Sequence, residues 1–147
     1  MRGIFDFLRR KRPRRTARQE AGEAGERAAE RFLRKRGYRI VARNVLYAEG
    51  EVDLVALERG TGALCFVEVR SRAVAEGKDP PVAPEETVTP AKRRRVIRAA
   101  HRFVHERRCG ERVIRFDVIA VRFADEDRRR PDIRHYPGAF DAMGRAT

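Results

Sequence analysis

Apolar positions in this chain fall into two alternating patterns that predict its elements. From Glu20 to Arg36, Ala21, Ala24, Ala28 and Phe32, with Ala29 and Leu33 beside them, recur at the spacing of one helical face, and Gly37 stands where a helix stop belongs. YRIVARNVLY (38–47) is instead rich in β-branched and aromatic residues and reads as a strand, followed by a turn around Gly50. EVDLVALERGTGALCFVEVRSR (51–72) then folds back on itself as a hairpin. Residues 73–88 mix prolines, glycine and charge without periodicity and predict a loop. Thr89 and Pro90 supply an N-cap and a first-turn proline, and Val96, Ile97, Ala100, Phe103 and Val104 carry a second helix to about Arg108. VIRFDVIAVRF (113–123) predicts a largely buried strand, and DIRHY (132–136) a short edge strand after a charged turn. The order is helix, three strands, helix, one or two strands.

The hairpin carries charge where a core strand would not. A type II′ turn at Gly60 and Thr61 makes paired residue numbers sum to 121, so Asp53 faces Glu68 and Glu51 faces Arg70. Toward the turn the same face holds Val55, Leu57, Leu64 and Phe66, while the other holds Val52, Leu54, Ala56, Cys65, Val67 and Val69. Two apolar faces mark central strands covered on both sides. Two carboxylates directly opposed at ~5 Å repel by ~3 kcal/mol at an effective dielectric of 20. A shared proton, a cation or Arg70 must offset this. Mg²⁺ suits such a pair, because it takes one or two carboxylates and keeps its other positions for water and phosphate oxygens. The alternative is structural: a Glu51–Arg70 cross-strand ion pair with Asp53 and Glu68 at a solvated strand end.

The length of 147 residues suits one domain, divided here into a basic, disordered arm (1–19), a folded unit (20–140) and a C-terminal tail (141–147). The net charge is +13, and all but four of the 35 basic residues are arginine, whose planar fork suits phosphate. A polyanionic partner is the expectation. The arm alone holds eight basic residues and one acid, 8 − 1 = +7. It reads as a solubilising tail or a nucleic-acid arm, with a membrane surface a third option because IFDFL precedes the basic run. Cys65 and Cys109 form no metal-type pair, which implies a reducing, cytoplasmic setting, and no apolar run approaches a membrane span or a signal-peptide core.

GERAAERFLRKRGYRIVARN (25–44), GEVDLVA (50–56), CFVEVRSR (65–72), VTPAKRRRVIRAA (88–100), RFDVIAV (115–121) and HYPGAF (135–140) together resemble the YraN family. These small bacterial proteins are placed in the PD-(D/E)XK, or restriction-endonuclease-like, superfamily and are similar to archaeal Holliday-junction resolvases. The resemblance implies an α/β fold with an αβββαβ core, a central mixed sheet flanked by helices. It further implies Asp53 and Glu68 as metal-binding acids for Mg²⁺ or Mn²⁺, Glu26 as an additional acid, Glu51 as a participant from the GE(I/V)DL motif, and a possible homodimer.

Position 70 matches the signature lysine but is Arg70, which can hold phosphate yet stays protonated and so orients or deprotonates water poorly. Lys92 either supplies the missing cation or contacts phosphate, or it is a surface lysine on an arginine-rich helix. Arg93, Arg94 and Arg72 complete the candidate nucleic-acid contacts. His101 and His105, spaced four apart without an intervening acid of the metalloprotease type, read as solvated helix residues rather than ligands. Asp117, inside an apolar strand, reads as a sheet-end charge or an arginine's buried partner, and Gly22 and Gly25 as close-packing positions on the first helix. Two functions follow: a metal-dependent endonuclease or resolvase-like protein acting on branched or structured DNA, or a non-catalytic nucleic-acid-binding protein that retains the nuclease fold.

Overall fold

The computed structural model describes residues 14–73, 88–124 and 129–147. Helix α1 (Ala17–Lys35) is followed by strands β1 (Tyr38–Tyr47), β2 (Gly50–Glu58) and β3 (Leu64–Ala73), helix α2 (Pro90–Arg107), and strands β4 (Ile114–Phe123) and β5 (Asp132–Phe140). The strands lie in the order β1-β2-β3-β4-β5, antiparallel except for the parallel pair β3–β4. A parallel pair needs a crossover, and α2 lies within it. This is an α/β fold, a mixed five-stranded sheet flanked by helices, consistent with a restriction-endonuclease-like core.

The two apolar faces of the hairpin acquire one helix each. Ala28, Ala29 and Leu33 of α1 pack with Leu54, Ala56, Cys65 and Val67, while Val96, Ala100 and Phe103 of α2 pack with Val55, Leu64 and Phe66. Two glycines set how closely the helices approach. A Cβ on Gly25 would lie 2.4 Å from Ser71 Cβ, and one on Gly50 would lie 2.0 Å from the Arg95 carbonyl oxygen. The close-packing expectation therefore holds at Gly25 but not at Gly22, which has open space around it.

Element boundaries differ from the sequence reading for identifiable reasons. Thr16 caps α1 through a capping box with Gln19, so the last three residues of the expected arm are helix, and residues 1–13 lie outside those described. The β2–β3 connection is not a two-residue turn at Gly60–Thr61. Glu58 and Ala63 close a longer loop, with Gly62 at φ +75° and its N–H donating to the Glu58 carbonyl. Because residues 59–62 share the midpoint of 60–61, the observed pairs Leu54–Val67 to Leu57–Leu64 keep the expected register. Strand β5 runs past Pro137 to Phe140, because a register shift between Phe116 and Val118 absorbs the irregularity and Gly138 takes φ +62°. Residues 141–147 are not a free tail: Ala146 bridges Phe140, and the Thr147 N–H donates to the Ala139 carbonyl at 3.1 Å. Residues 74–87 of the expected loop lie outside the described residues. No described helix is long and apolar enough to cross a membrane.

Candidate functional site

The centre forms where β2 and β3 stop pairing. Their ladder ends at Leu54–Val67, one position short of Asp53 and Glu68. The Val69 N–H, which a continued ladder would give to the β2 backbone, donates instead to Asp53 Oδ2 at 2.7 Å. The carboxylate thus takes over a backbone role and holds the strands apart. The alternation slips here too: Val52, expected beside Leu54 and Ala56, packs with the α2-side cluster.

Glu68 is 2 % exposed, and its Oε2 has no hydrogen-bond partner in the structure. Such a buried orphan acceptor is costly. Burial, then the charge of Asp53, pushes the Glu68 carboxyl up to about 8. Burial also raises Asp53, against the Val69 N–H and the Lys92 charge. The expected Glu51–Arg70 ion pair is replaced: Lys92 Nζ lies 2.7 Å from Glu51 Oε1 and 3.6 Å from Glu68 Oε1, while Arg70 Nη1 is 3.9 Å from Glu68 Oε1 and its side chain is 41 % exposed against 24 % for Lys92. The hydrogen bond from Lys92 holds Glu51 below the ordinary carboxylate range. Burial works against the Lys92 ammonium, but Glu51, Glu68 and Asp53 outweigh it and hold its pKa above the ordinary value. Lys92 is therefore the inward cation of the group and not a surface lysine.

On the α1 side, half-buried Glu26 has its pKa raised by burial and then by Asp53, against a hydrogen bond with the Asn44 side chain. Asn44 sits at φ 46°, a backbone region that asparagine tolerates better than most residues. Glu26, Asn44 and Leu54 line a cleft of about 530 Å³ between α1 and the start of the sheet. No signal in the sequence marked Asn44. Among the described residues, no group of three or more His, Cys, Asp or Glu is gathered to enclose a metal. The donors present are an acidic pair with one orphan oxygen, which fits Mg²⁺ or Mn²⁺ held by two carboxylates and otherwise by water and substrate oxygens.

The remaining candidates divide. Arg72 and Arg94 are exposed, whereas Arg93 donates to the Gly144 carbonyl at 3.2 Å and so braces the C-terminal segment. His101 and His105 are exposed on α2. Asp117, 0 % exposed, is an arginine's partner: Arg115 Nε and Nη2 donate to its two oxygens at 2.8 and 2.9 Å, His135 Nε2 lies 2.8 Å away, and the Gly138 N–H donates at 3.0 Å. Arg115 also donates to Tyr38 and Glu58, which ties the β4–β5 bulge to the α1 end of β1. Cys65 and Cys109 are free thiols, and burial pushes Cys65 up to about 12.

Residues 25–121 match the Uncharacterised protein family UPF0102. The chain belongs to this family. It is 46% identical over 129 residues to the UPF0102 protein of Anaeromyxobacter dehalogenans, covering 87% of this chain and 89% of that one. It is likewise 46% identical over 125 residues to the UPF0102 protein of Myxococcus xanthus (85% and 92%), and 33% identical over 125 residues to that of Rhodopirellula baltica (85% and 72%). The family part of the sequence resemblance is thereby borne out. The UPF0102 match runs from within α1 to within β4, and so contains every residue of the carboxylate centre and Lys92.

Proposed function

We propose that this UPF0102 chain is a metal-dependent endonuclease of the PD-(D/E)XK type acting on branched or structured DNA. The observation that carries the reading is the pair of buried Glu68 and half-buried Asp53 at a break in the β2–β3 ladder, with the Lys92 ammonium beside it. Asp53 and Glu68 would hold Mg²⁺ or Mn²⁺, and a bound divalent ion would supply Lewis acidity toward a phosphate and a water of lowered pKa. Water adds to phosphorus, one P–O ester bond breaks, and the products are a phosphate monoester and a hydroxyl. Lys92, reaching in from α2, takes the role that the signature gives to a lysine at position 70. Its charge lies where negative charge builds on the phosphate. Arg70, exposed at the rim, binds the neighbouring phosphate. Glu26 and Asn44 border the centre on the α1 side and orient water there. A cytoplasmic setting goes with the two free thiols.

The test is cleavage of an end-labelled four-way DNA junction, beside linear duplex and single strands, with Mg²⁺ or Mn²⁺. Cutting should require the metal and fall by at least about 10²–10³-fold in Asp53→Asn. Metal-indifferent binding without cutting, unchanged by Asp53→Asn, would favour the non-catalytic reading instead.

A further inference from the structure

Helices α1 and α2 cover opposite faces of the sheet and differ sharply in how they carry charge. On α1, Glu20, Glu23, Glu26 and Glu30 are interleaved with the arginines, and Arg27 and Arg34 pair with Glu23 and Glu30 at 4.0 and 2.8 Å. On α2, residues 90–105 contain no Asp or Glu, while Lys92, Arg93, Arg94, Arg95, Arg98 and Arg102 follow one another from the first turn. Cations at a helix N-terminus oppose the helix dipole, and the first turn of α2 has no acid of its own; within that turn only Lys92 is paired from the sheet, by Glu51 and Glu68. Arg93 is taken up by the Gly144 carbonyl and Arg102 by Glu49 and Glu106. Arg94, Arg95 and Arg98 are exposed, and of the three the Arg95 charge also acts on Glu51. The helix carrying them is clamped at Gly50, next to Glu51, by the contact with the Arg95 carbonyl. From Lys92 to Arg98 the helix rises about 9 Å, the axial length of two to three nucleotides of one strand.

We infer that the nucleic acid lies on the α2 side of the sheet, its phosphate backbone crossing the helix from Lys92 over Arg95 to the neighbouring pair Arg94 and Arg98, and that the outer face of α1 carries none of it. The choice of ligand rests on the nuclease reading above; the choice of side rests on the charge arrangement of the two helices. Arg93, expected as a contact, has a bracing role and is not part of the track.

The experiment is equilibrium binding of the full chain to a labelled four-way DNA junction over a range of KCl concentrations without divalent ions. It compares Arg94→Gln/Arg98→Gln with Arg34→Gln/Lys35→Gln at the exposed end of α1, two variants that lose the same net charge, with circular dichroism as the check on folding. The α2 variant should lower the slope of log K against log salt by about 1.8, from ~0.9 per phosphate contact, and the α1 variant should leave it near the wild-type value. Equal losses in both, a loss in the α1 variant alone, or no binding of the wild-type chain overturns the assignment. Cleavage by a protein whose α2 variant keeps the full slope defeats the track alone. A lost slope in a protein that never cuts defeats the nuclease reading alone.

Discussion

Lys92→Ala is expected to lower metal-dependent cleavage by about 10²–10⁴-fold, the range for loss of a positioned acid–base or charge-stabilising group. Arg70→Ala should act mainly on affinity. The asymmetry follows from position: Lys92 Nζ is within 3.6 Å of Glu68 and hydrogen-bonded to Glu51, whereas Arg70 sits at the exposed rim, 3.9 Å from Glu68. Restoring a lysine on β3, in the double variant Lys92→Ala/Arg70→Lys, should recover part of the lost rate if the chemistry needs a lysine and not its particular helix. Single-turnover rates at saturating enzyme separate the two effects. A Lys92→Ala protein that folds and cuts at the wild-type rate would remove Lys92 from the chemistry.

Asp117→Ala should destabilise the fold by about 3–5 kcal/mol, because it leaves the Gly138 N–H, His135 and two guanidinium nitrogens of Arg115 without their acceptor while Glu58 holds only Arg115 Nη1. In a chain of this size that corresponds to a fall in Tm of about 10 °C or more. Burial acts to raise the Asp117 carboxyl, but His135, Arg115 and the Gly138 N–H outweigh it and hold it below the ordinary carboxylate range. A depressed acid contributes stability that is present above its unfolded-state pKa and lost as the pH falls through the folded one. The difference between wild type and Asp117→Ala should therefore shrink in acid. Thermal melts at neutral and acidic pH measure it, and a pH-independent gap would mean that packing, not charge, makes up the loss.

Much of the site was legible in the sequence because a hairpin's register depends only on the midpoint of its turn. The loop has four residues where the sequence predicts a two-residue turn, yet it is centred on the same point, and Asp53 and Glu68 are close enough for each to act on the other. What periodicity could not supply was the slip at Asp53, since a side chain replacing a backbone acceptor leaves no mark in the apolar pattern. Lys92 was ambiguous for another reason: Thr89 and Pro90 fix where the helix starts, but a lysine in an arginine-rich helix looks the same facing water or facing in. Strand β5 was cut short at Pro137 because proline and glycine are read as strand breakers. Here Asp117, fully buried on β4, accepts the Gly138 N–H and makes the bulge tolerable.

The proposed endonuclease activity requires Asp53 and Glu68 to form a divalent-metal site. In the metal-free protein the Glu68 carboxyl is pushed up to about 8, by burial first and then by Asp53. The folded state therefore holds a proton that the unfolded chain releases from its ordinary value of 4.5, so stability declines as the pH rises through that window. A metal bound by both carboxylates must displace that proton. Calorimetric titration of the full chain with Mn²⁺ near pH 7, in two buffers of different ionisation enthalpy, should give one site and a net release of protons, with both lost in Asp53→Asn and in Glu68→Gln. Absence of a binding heat in both buffers, or binding that is the same in the two variants, would contradict the claim.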